Sequence, residues 1–356
     1  MTKRERFNCA MKFQTTDRLP LLHCDPWDET KRRWETEGTV DWNHEFDGFD
    51  GPLQSCWLYG PFQGPIPPYE EKVIREDREY LDVQNDIGQI ERRLKHRTSM
   101  PFFTGYPVKT RADWEKYKKL LDPDSPGRYP AHWNQLVQER KTTASDEIRG
   151  LAVWGFYGFP RQLFGPEELS VIFYDNPDLI REMNEYWVNY TMKRLERALK
   201  EMDFDYLLIW EDNCYNHGML HSPKMFKEFM APHYRTLIDF VRKNGVETIS
   251  VDSDGNVAEL IPLLLDVGVT GMHPFEVAAG MDVVKIGREY PHLQIWGGID
   301  KRALAKGHAA IDAELERVIP PMKQRGGYAA GLDHGIPSDV SLENYRYYVK
   351  RLMEIS

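Results

Sequence analysis

The chain has 356 residues, of which 41% are hydrophobic and 12% aromatic, and its formal net charge is −10. This composition excludes a disordered chain and predicts a sizeable core, while the acidic balance argues against nucleic acid or an anionic membrane surface as a partner. The length suits one α/β barrel with insertions, so we predict a single domain over residues 1–356.

The cysteines and the first residues predict a soluble cytoplasmic protein. Cys9, Cys24, Cys56 and Cys214 are widely separated and form no CxxC motif, which is typical of free thiols in a reducing compartment. The opening MTKRERFNCAMKF predicts a charged amphipathic helix without the apolar centre of a signal peptide. No apolar run approaches the roughly 18 residues of a membrane span.

Apolar runs and turn residues predict eight strands with helices between them. A helix at 2–13 precedes a first strand at 19–23, and a helix at 29–37 precedes a weak second strand near 45–50. The remaining strands are predicted at 149–154, 206–210, 247–251, 269–272, 294–296 and 327–331. Eight strands alternating with helices is the count of a (β/α)₈ TIM barrel.

The pattern changes between residues 61 and 145. Polar segments with loose alternation at 71–74, 79–83 and 88–95 predict an antiparallel β meander, followed by helices at 111–121 and 131–141. Because the apolar content of this region is too low for a core of its own, we interpret it as an insertion on the barrel.

Polar side chains follow almost every predicted strand, where a closed barrel would bring them to one mouth. They are Asp25, Asp47, Asp50, Tyr157, Glu211, Asp212, Asp252, Asp254, His273, Glu276, Asp300, Asp333 and His334. Carboxylates within ~4–6 Å of one another raise each other's pKa, so this set predicts either a bound cation or carboxylates that serve as helix caps. A divalent metal is the economical cation, and Asp, Glu and His are all plausible zinc ligands.

Several of these residues have a structural alternative. Asp252 or Asp254 can cap the helix that begins near Val257, and Glu276 can cap or form a salt bridge. Asp300 precedes a helix and reads as a cap first and a site residue second. The aromatic loop at 156–159 is more often packing than a cofactor platform.

Six segments carry a family resemblance: TKRERF with DRLP, and residues 107–123, 221–245, 252–256, 296–307 and 332–350. Together they resemble the uroporphyrinogen decarboxylase superfamily, which includes cobalamin-dependent methyltransferases that act with corrinoid proteins. The resemblance implies a (β/α)₈ barrel with its site at the carboxyl ends of the strands. Homodimers are common in the superfamily, so a homodimer is possible here.

One departure from the family argues against decarboxylation of uroporphyrinogen. True decarboxylases carry an Arg-rich segment after the first strand, whereas residues 23–34 here read HCDPWDETKRRW, with the acids first. A porphyrinogen with eight carboxylates would be a poor ligand for an acidic mouth.

A second departure concerns the metal. Zinc-dependent members that act on thiols carry His-x-Cys-Gly-Asn and a later Cys, where this chain has Asp252-Ser253-Asp254-Gly255-Asn256 and His334. The resemblance then implies zinc held by Asp252, Asp254 and His334, with Glu276. Such a harder site fits activation of an oxygen, as in a methyl ether, better than activation of a thiol.

We therefore predict a methyltransferase that moves a methyl group between a small substrate and the cobalamin of a corrinoid partner protein. The predicted residues are Glu211, Tyr157 and His334 for catalysis, Asp212, Asp300, Trp154 and Arg161 for the substrate, and Asp252, Asp254, Glu276 and His334 for the metal. One alternative is a decarboxylase or lyase for a smaller acid, with Arg161 binding its carboxylate. The other is a barrel that binds a ligand without catalysis.

Overall fold

The computed structural model describes residues 1–53, 60–95, 100–142 and 146–356. Its strands are β1 Leu22–His23, β2 Gly51–Pro52, β3 Lys72–Glu76, β4 Tyr80–Gln84, β5 Ile90–Leu94, β6 Phe102–Gly105, β7 Gly150–Trp154, β8 Tyr206–Trp210, β9 Cys214–Tyr215, β10 Gly218–Met219, β11 Thr248–Asp252, β12 Gly271–His273, β13 Gln294–Trp296 and β14 Tyr328–Ala329.

Its helices are α1 Lys3–Met11, α2 Asp28–Glu37, α3 Arg111–Lys118, α4 Trp133–Thr142, α5 Gly158–Phe164, α6 Pro166–Asp175, α7 Pro177–Glu201, α8 Pro223–Met225, α9 Ala231–Lys243, α10 Leu260–Asp266, α11 Val283–Glu289, α12 Arg302–Ala305, α13 His308–Arg325 and α14 Leu342–Ile355. A π-helical turn, Phe226–Met230, joins α8 to α9, and a short 3₁₀ helix covers Val277–Ala279.

A parallel sheet organises the molecule, in the order β14-β13-β12-β11-β8-β7. Strands β7, β8 and β11 are almost entirely buried, as expected where helices cover both faces of a parallel sheet. The N–H of Leu22 donates to the carbonyl of Ala330 at 2.8 Å, which adds β1 beside β14, and β1 pairs in parallel with β2. The predicted α/β class with a parallel sheet is confirmed.

The eight strands therefore run in the order β2-β1-β14-β13-β12-β11-β8-β7. Within the described ranges no strand pairing joins β2 to β7, so closure of the barrel stays a prediction. The second strand lies at 51–52 instead of the predicted 45–50. Asp50 consequently stands at the start of the strand and not past its end.

Asp50 belongs to the opposite edge of the sheet from the candidate site. Its carboxylate is buried and accepts from Arg18 at 2.6 Å, from the N–H of Leu21 at 2.7 Å and from Arg6 at 2.5 Å. Arg6 lies on α1, so this ion pair fixes the N-terminal helix against the strands.

The region predicted as a meander forms a four-stranded antiparallel sheet, β3-β4-β5-β6. Three of its strands match the predicted segments, and β6 adds a fourth that pairs with β5. Met100 and Phe102 are 73% and 72% exposed at this end of the sheet.

Two other predictions concern the chain as a whole. Cys9, Cys24 and Cys214 are free thiols, whereas Cys56 lies outside the described residues. Among the residues that the structure describes, no helix combines the length and apolar character needed to cross a membrane.

Candidate active site

Neighbouring parallel strands bring three carboxylates to the carboxyl edge of the sheet. Asp252 ends β11, where it is aligned with Trp210 of β8 on one side and His273 of β12 on the other. Asp212 and Asp254 each lie two residues past the end of their strand. The charges of Asp252 and Asp254 both raise the pKa of Asp212, which places the three carboxylates in one electrostatic cluster.

His334, from the loop after β14, closes this cluster. Its Nε2 lies 2.9 Å from Oδ1 of Asp254, and the side chains of His334 and Asp254 are 20% and 45% exposed. Burial opposes the charge of each, but their hydrogen bond prevails: the pKa of Asp254 lies below its usual value and that of His334 above. The pair is therefore an ionised, accessible His–Asp couple that keeps its proton above the ordinary histidine pKa.

Asp212 occupies an unusual backbone conformation next to Arg161. Its φ is +60°, in the left-handed region that residues other than glycine rarely adopt, and Arg161 Nη1 donates to its Oδ2 at 2.7 Å. Burial, with Asp254 and Asp252 adding to it, raises the pKa of Asp212 to about 6 in spite of Arg161. The Arg161 guanidinium lies 5.6 Å from the centre of the Trp210 ring. Such a local strain at the cluster is characteristic of functional sites.

Glu211 differs sharply from its neighbour Asp212. Its side chain is fully buried, and its carboxylate accepts from the N–H groups of Phe156 at 2.8 Å, Tyr157 at 3.0 Å and Gly158 at 2.6 Å. The hydroxyl of Tyr234 donates to the same carboxylate. Burial raises the pKa of Glu211 to about 7, although these donors act in the opposite direction.

Glu211 was predicted to contact the substrate, but in the structure its carboxylate is buried and contacts the protein's own donors. Four donors saturate the carboxylate below the surface, so Glu211 is a positioning residue that fixes the loop opening α5. The fit is close: a Cβ added to Gly155 would lie 2.0 Å from Oε1 of Glu211, and one added to Gly158 would lie 2.6 Å from the carbonyl oxygen of Trp210.

The side chains of Tyr157 and Trp154 are also buried in the protein core and do not reach an open surface. Tyr157 is 1% exposed, burial raises the pKa of its phenol to about 12, and its hydroxyl has no hydrogen-bond partner among the described residues. Trp154 is 8% exposed and its ring is stacked 5.9 Å from that of Trp187. Both rings pack against other side chains of the protein, whereas a catalytic role for Tyr157 and a substrate contact for Trp154 were predicted.

The remaining strand-end carboxylates bind backbone donors or an arginine. Asp300 accepts from the backbone N–H and the side chain of Arg302, the first residue of α12, at 2.8–2.9 Å, so its carboxylate already has partners. Glu276 Oε2 accepts from the N–H of Gly255 at 3.0 Å. Buried Asp333 accepts from Val277 at 3.0 Å and from Lys301 at 3.2 Å. These donors offset part of the repulsion among the acids that stand near one edge.

The donor groups do not fit the predicted zinc site. In the part of the chain that the structure describes, no three His, Cys, Asp or Glu side chains are grouped as metal ligands. Asp254 and His334 bind each other, Glu276 binds the backbone, and Asp252 Oδ2 lies 3.5 Å from His273 Nε2. A structural zinc needs four donors and a catalytic zinc three, and the described side chains do not supply such a set.

The structure adds two site residues for which the sequence predicted no role, His273 and Trp210. His273 is 1% exposed beneath the cluster, its ring is stacked 5.6 Å from Trp296, and neither ring nitrogen has a hydrogen-bond partner among the described residues. In the sequence, the position of His273 at the end of a predicted strand was the feature that could have identified it as a site residue. Trp210 offered no such signal, because an apolar residue ending a buried strand is ordinary packing.

A groove of about 980 Å³ extends from the cluster towards the meander. Arg161, Trp210 and Asp212 lie in its wall, together with β6 and the segment 162–168. Aromatic side chains dominate the far wall, namely Phe102, Phe103, Tyr106 and Phe164. The groove therefore combines an aromatic wall with a charged end at Arg161 and Asp212.

Comparison with known proteins places this arrangement in a family. The family model for uroporphyrinogen decarboxylase (URO-D) matches residues 93–355. The chain belongs to the uroporphyrinogen decarboxylase family. This confirms the resemblance seen in the sequence.

Curated relatives are distant. The uroporphyrinogen decarboxylase of Thermus thermophilus is 25% identical over 174 residues, which are 46% of this chain and 46% of that protein. The enzyme named uroporphyrinogen decarboxylase in Trichlorobacter lovleyi is 23% identical over 70% of this chain and 72% of its own length. The chain thus spans about half the length of the Thermus relative that it matches.

A solved structure described as a methyltransferase from Methanosarcina mazei matches over the whole length. It covers 99% of both chains with a TM-score of 0.60 and 15% sequence identity. At this identity the likeness shows a shared fold.

Proposed function

We propose that this protein is a methyltransferase that transfers a methyl group between a small substrate, such as a methyl ether, and the cobalamin of a corrinoid partner protein. The observation that carries the proposal is the accessible Asp254–His334 couple in an acidic mouth. The full-length likeness to a protein described as a methyltransferase supports it.

The charge of the mouth favours such a substrate over a polyanion. Asp212, Asp252 and Asp254 face one another there, and the guanidinium of Arg161 is already paired with Asp212. A substrate with many carboxylates would meet this negative potential, whereas a neutral ether would not.

His334 supplies the proton that the leaving group needs. When the bond between the methyl carbon and the ether oxygen breaks, the electron pair stays on the oxygen, and a proton from His334 makes this oxygen a neutral hydroxyl. Asp254 raises the pKa of His334, so that the histidine holds its proton to a higher pH than usual, and fixes the orientation of its ring. Asp212 and Arg161 lie beside this position and orient the substrate.

The groove suits the face of a corrin, which is a broad, uncharged macrocycle that carries amide groups. Its aromatic wall is wide and its charged end reaches Asp212. When bound, cobalamin supplies a cobalt centre that accepts or donates the methyl group. The residues of the chain bind, orient and protonate around that exchange.

The alternative of a decarboxylase for a small acid rests on Arg161, an arginine in the mouth that could hold a carboxylate, and on the names of the curated relatives. Its pairing with Asp212 weighs against this alternative.

The test follows methyl transfer from a panel of methyl ethers to chemically reduced free cobalamin by absorbance. His334→Gln should lower the rate by about 10²–10⁴-fold, the usual contribution of a general acid. His308→Gln is the matched control, since His308 lies on α13 and stacks on Tyr347.

The pH dependence adds a second readout. Activity should fall as pH rises through the pKa of His334, which lies above the ordinary 6.5. Asp254→Asn removes the stabilising anion, so the fall should move to lower pH. Wild-type protein without transfer to cobalamin from any ether, or an unchanged rate in His334→Gln, would overturn the proposal.

A further inference from the structure

A second cavity, of about 460 Å³, lies between α7 and the loop that precedes α4. It shares no lining residue with the groove at the mouth. Its basic lining residues are Arg128, Lys193, Arg194 and Arg197, against the two acids Asp124 and Glu196. Glu196 is already held by Lys200 at 3.0 Å and Lys193 at 3.5 Å. Arg197 is paired with Glu201 at 3.1 Å, so among the described residues the cations of this wall without a salt bridge are Arg128 and Arg194.

Arg194 is the residue that stands out in this wall. It is 1% exposed, and its Nη1 donates to the carbonyl of Pro61. Its Nε and Nη2 have no hydrogen-bond partner among the described residues, and no carboxylate acts on its charge. Among the described residues, the charged group that acts on the pKa of Arg194 is a second cation, Arg128. The guanidinium groups of both arginines lie over the Tyr190 ring.

Burial does not by itself leave an arginine in this state, as two other arginines of the chain show. Arg325 gives its N–H groups to the carbonyls of Gly287, Gly326, Tyr290 and Leu293 at 2.5–2.9 Å. Arg128 likewise donates to four carbonyls, from Asp122, Phe62, Gly64 and Leu120. The pKa of Arg194 and that of Arg325 are each lowered to about 10 by burial. Arg194 is the more deeply buried of the two, yet two of its nitrogens lack the carbonyl partners that Arg325 has.

We propose that this cavity binds a small oxyanion of the phosphate class, with Arg194 as its innermost ligand. A guanidinium with two free N–H groups on one edge matches two oxygens of a tetrahedral oxyanion. Arg128 adds positive charge beside it, and Lys193 and Arg197 line the same cavity with side chains that are 56% and 44% exposed. An unpaired buried cation is costly to the fold, so an anion that pairs with Arg194 also stabilises the native state.

The proposed phosphate site is independent of the proposed methyl transfer, because it shares no lining residue with the groove at the mouth. The ligand can be free phosphate or the phosphate group of a small metabolite, because both present the same oxygens. The cavity exceeds the volume of one phosphate, which leaves room for a short substituent.

The experiment measures binding of inorganic phosphate and of glycerol 3-phosphate to the full chain by calorimetry, together with the Tm, at constant ionic strength against chloride. We expect a Kd of about 1 mM or tighter and a Tm that rises with phosphate concentration. Tighter binding of the ester would assign a metabolite, and equal or weaker binding would assign free phosphate.

Three variants separate ligation from stability. Arg194→Met should weaken phosphate binding by more than about tenfold, the effect of losing a charge-assisted pair of hydrogen bonds. Arg325→Met, which removes a partly buried arginine elsewhere whose N–H groups donate to backbone carbonyls, should lower the Tm but leave phosphate affinity unchanged. Lys193→Glu, at an exposed position, should fold normally and weaken binding several-fold.

Wild-type protein that shows neither heat of binding nor a phosphate-dependent Tm would overturn the proposal. So would equal phosphate affinity in wild type and Arg194→Met. If Arg194→Met fails to fold, unchanged affinity in Lys193→Glu overturns the proposal in its place.

Discussion

Glu211→Gln tests whether the buried carboxylate organises the loop at the start of α5. The amide keeps one oxygen, which can stay with the N–H groups of Tyr157 and Gly158, and the Tyr234 hydroxyl can turn to accept from the new NH₂. The N–H of Phe156 then faces a donor. An unsatisfied buried donor costs about 1–3 kcal/mol, and two bonds lose their charge assistance at about 1 kcal/mol each.

Relief of the buried charge offsets part of this loss, so we expect a net destabilisation of about 2–3 kcal/mol in the ionised state. At roughly 2 °C per kcal/mol for a chain of this length, the Tm should fall by about 4–6 °C. Tyr234→Phe is the matched control, since it removes one donor and leaves the carboxylate; it should cost about 1 kcal/mol. Thermal unfolding followed by circular dichroism at pH 8 measures both.

The sign of the pH dependence is a separate check on the same residue. Because the pKa of Glu211 is raised from 4.5 to about 7, its contribution to stability is complete below pH 4.5 and is lost as pH rises through 7. The gap in stability between wild type and Glu211→Gln should therefore narrow over that range, by at most about 1.4 kcal/mol per pH unit. A variant within about 1 °C of wild type at pH 8, or a gap that widens with pH, would refute the reasoning.

Two further substitutions test the packing around the sheet edges. Gly155→Ala places a Cβ 2.0 Å from Oε1 of Glu211, so the backbone or the buried carboxylate must shift. We expect urea unfolding to show a destabilisation of about 1–3 kcal/mol. A loss below about 0.5 kcal/mol would contradict the close approach of Glu211 to this backbone. Asp50→Ala leaves Arg6 and Arg18 without their buried partner and should cost about 3–5 kcal/mol, whereas Asp17→Ala, which removes a partner of Arg6 that is 41% exposed, should cost about 1 kcal/mol or less. Equal losses in these two variants would contradict the assignment of Asp50 as the buried anchor.

The elements that sequence predicted well are those with a strong local pattern. Strands β7, β8 and β11 are continuous apolar runs bounded by turn residues, and each lies within a residue of its predicted bounds. The second strand has only two residues, Gly51–Pro52, and neither has a side chain suited to a strand. Its place is fixed by pairing with β1, which is a contact between distant parts of the chain and leaves no local pattern.

The same distinction applies to the site. The rule that parallel strands end at one edge predicted that Asp212, Asp254 and His334 would meet, and the structure brings them together. It could not tell which carboxylates remain accessible. Glu211 and Asp212 are consecutive, yet one is saturated by N–H groups of the loop after β7 and the other faces the mouth. That outcome depends on donors more than fifty residues away, which sequence alone does not position.

The Arg161–Asp212 pair decides between the two enzymatic alternatives for the mouth. As long as Asp212 neutralises Arg161, a small carboxylate gains little from that guanidinium and is repelled by Asp252 and Asp254. Asp212→Asn keeps the shape, removes one anion and frees Arg161. A unit charge at 4–6 Å in a partly exposed site is worth about 1.4 kcal/mol after screening, so acetate and malonate should bind about tenfold more tightly to the variant.

Calorimetry with both acids on wild type and Asp212→Asn measures this difference. Asp124→Asn is the matched control, because Asp124 lines the cavity between α7 and the loop that precedes α4, and not the mouth. If wild-type protein already binds malonate as tightly as Asp212→Asn does, then Asp212 does not occupy Arg161, and the mouth suits a carboxylate substrate. A tenfold gain instead means that the wild-type mouth selects against acids, because the chain itself supplies the carboxylate that Arg161 holds.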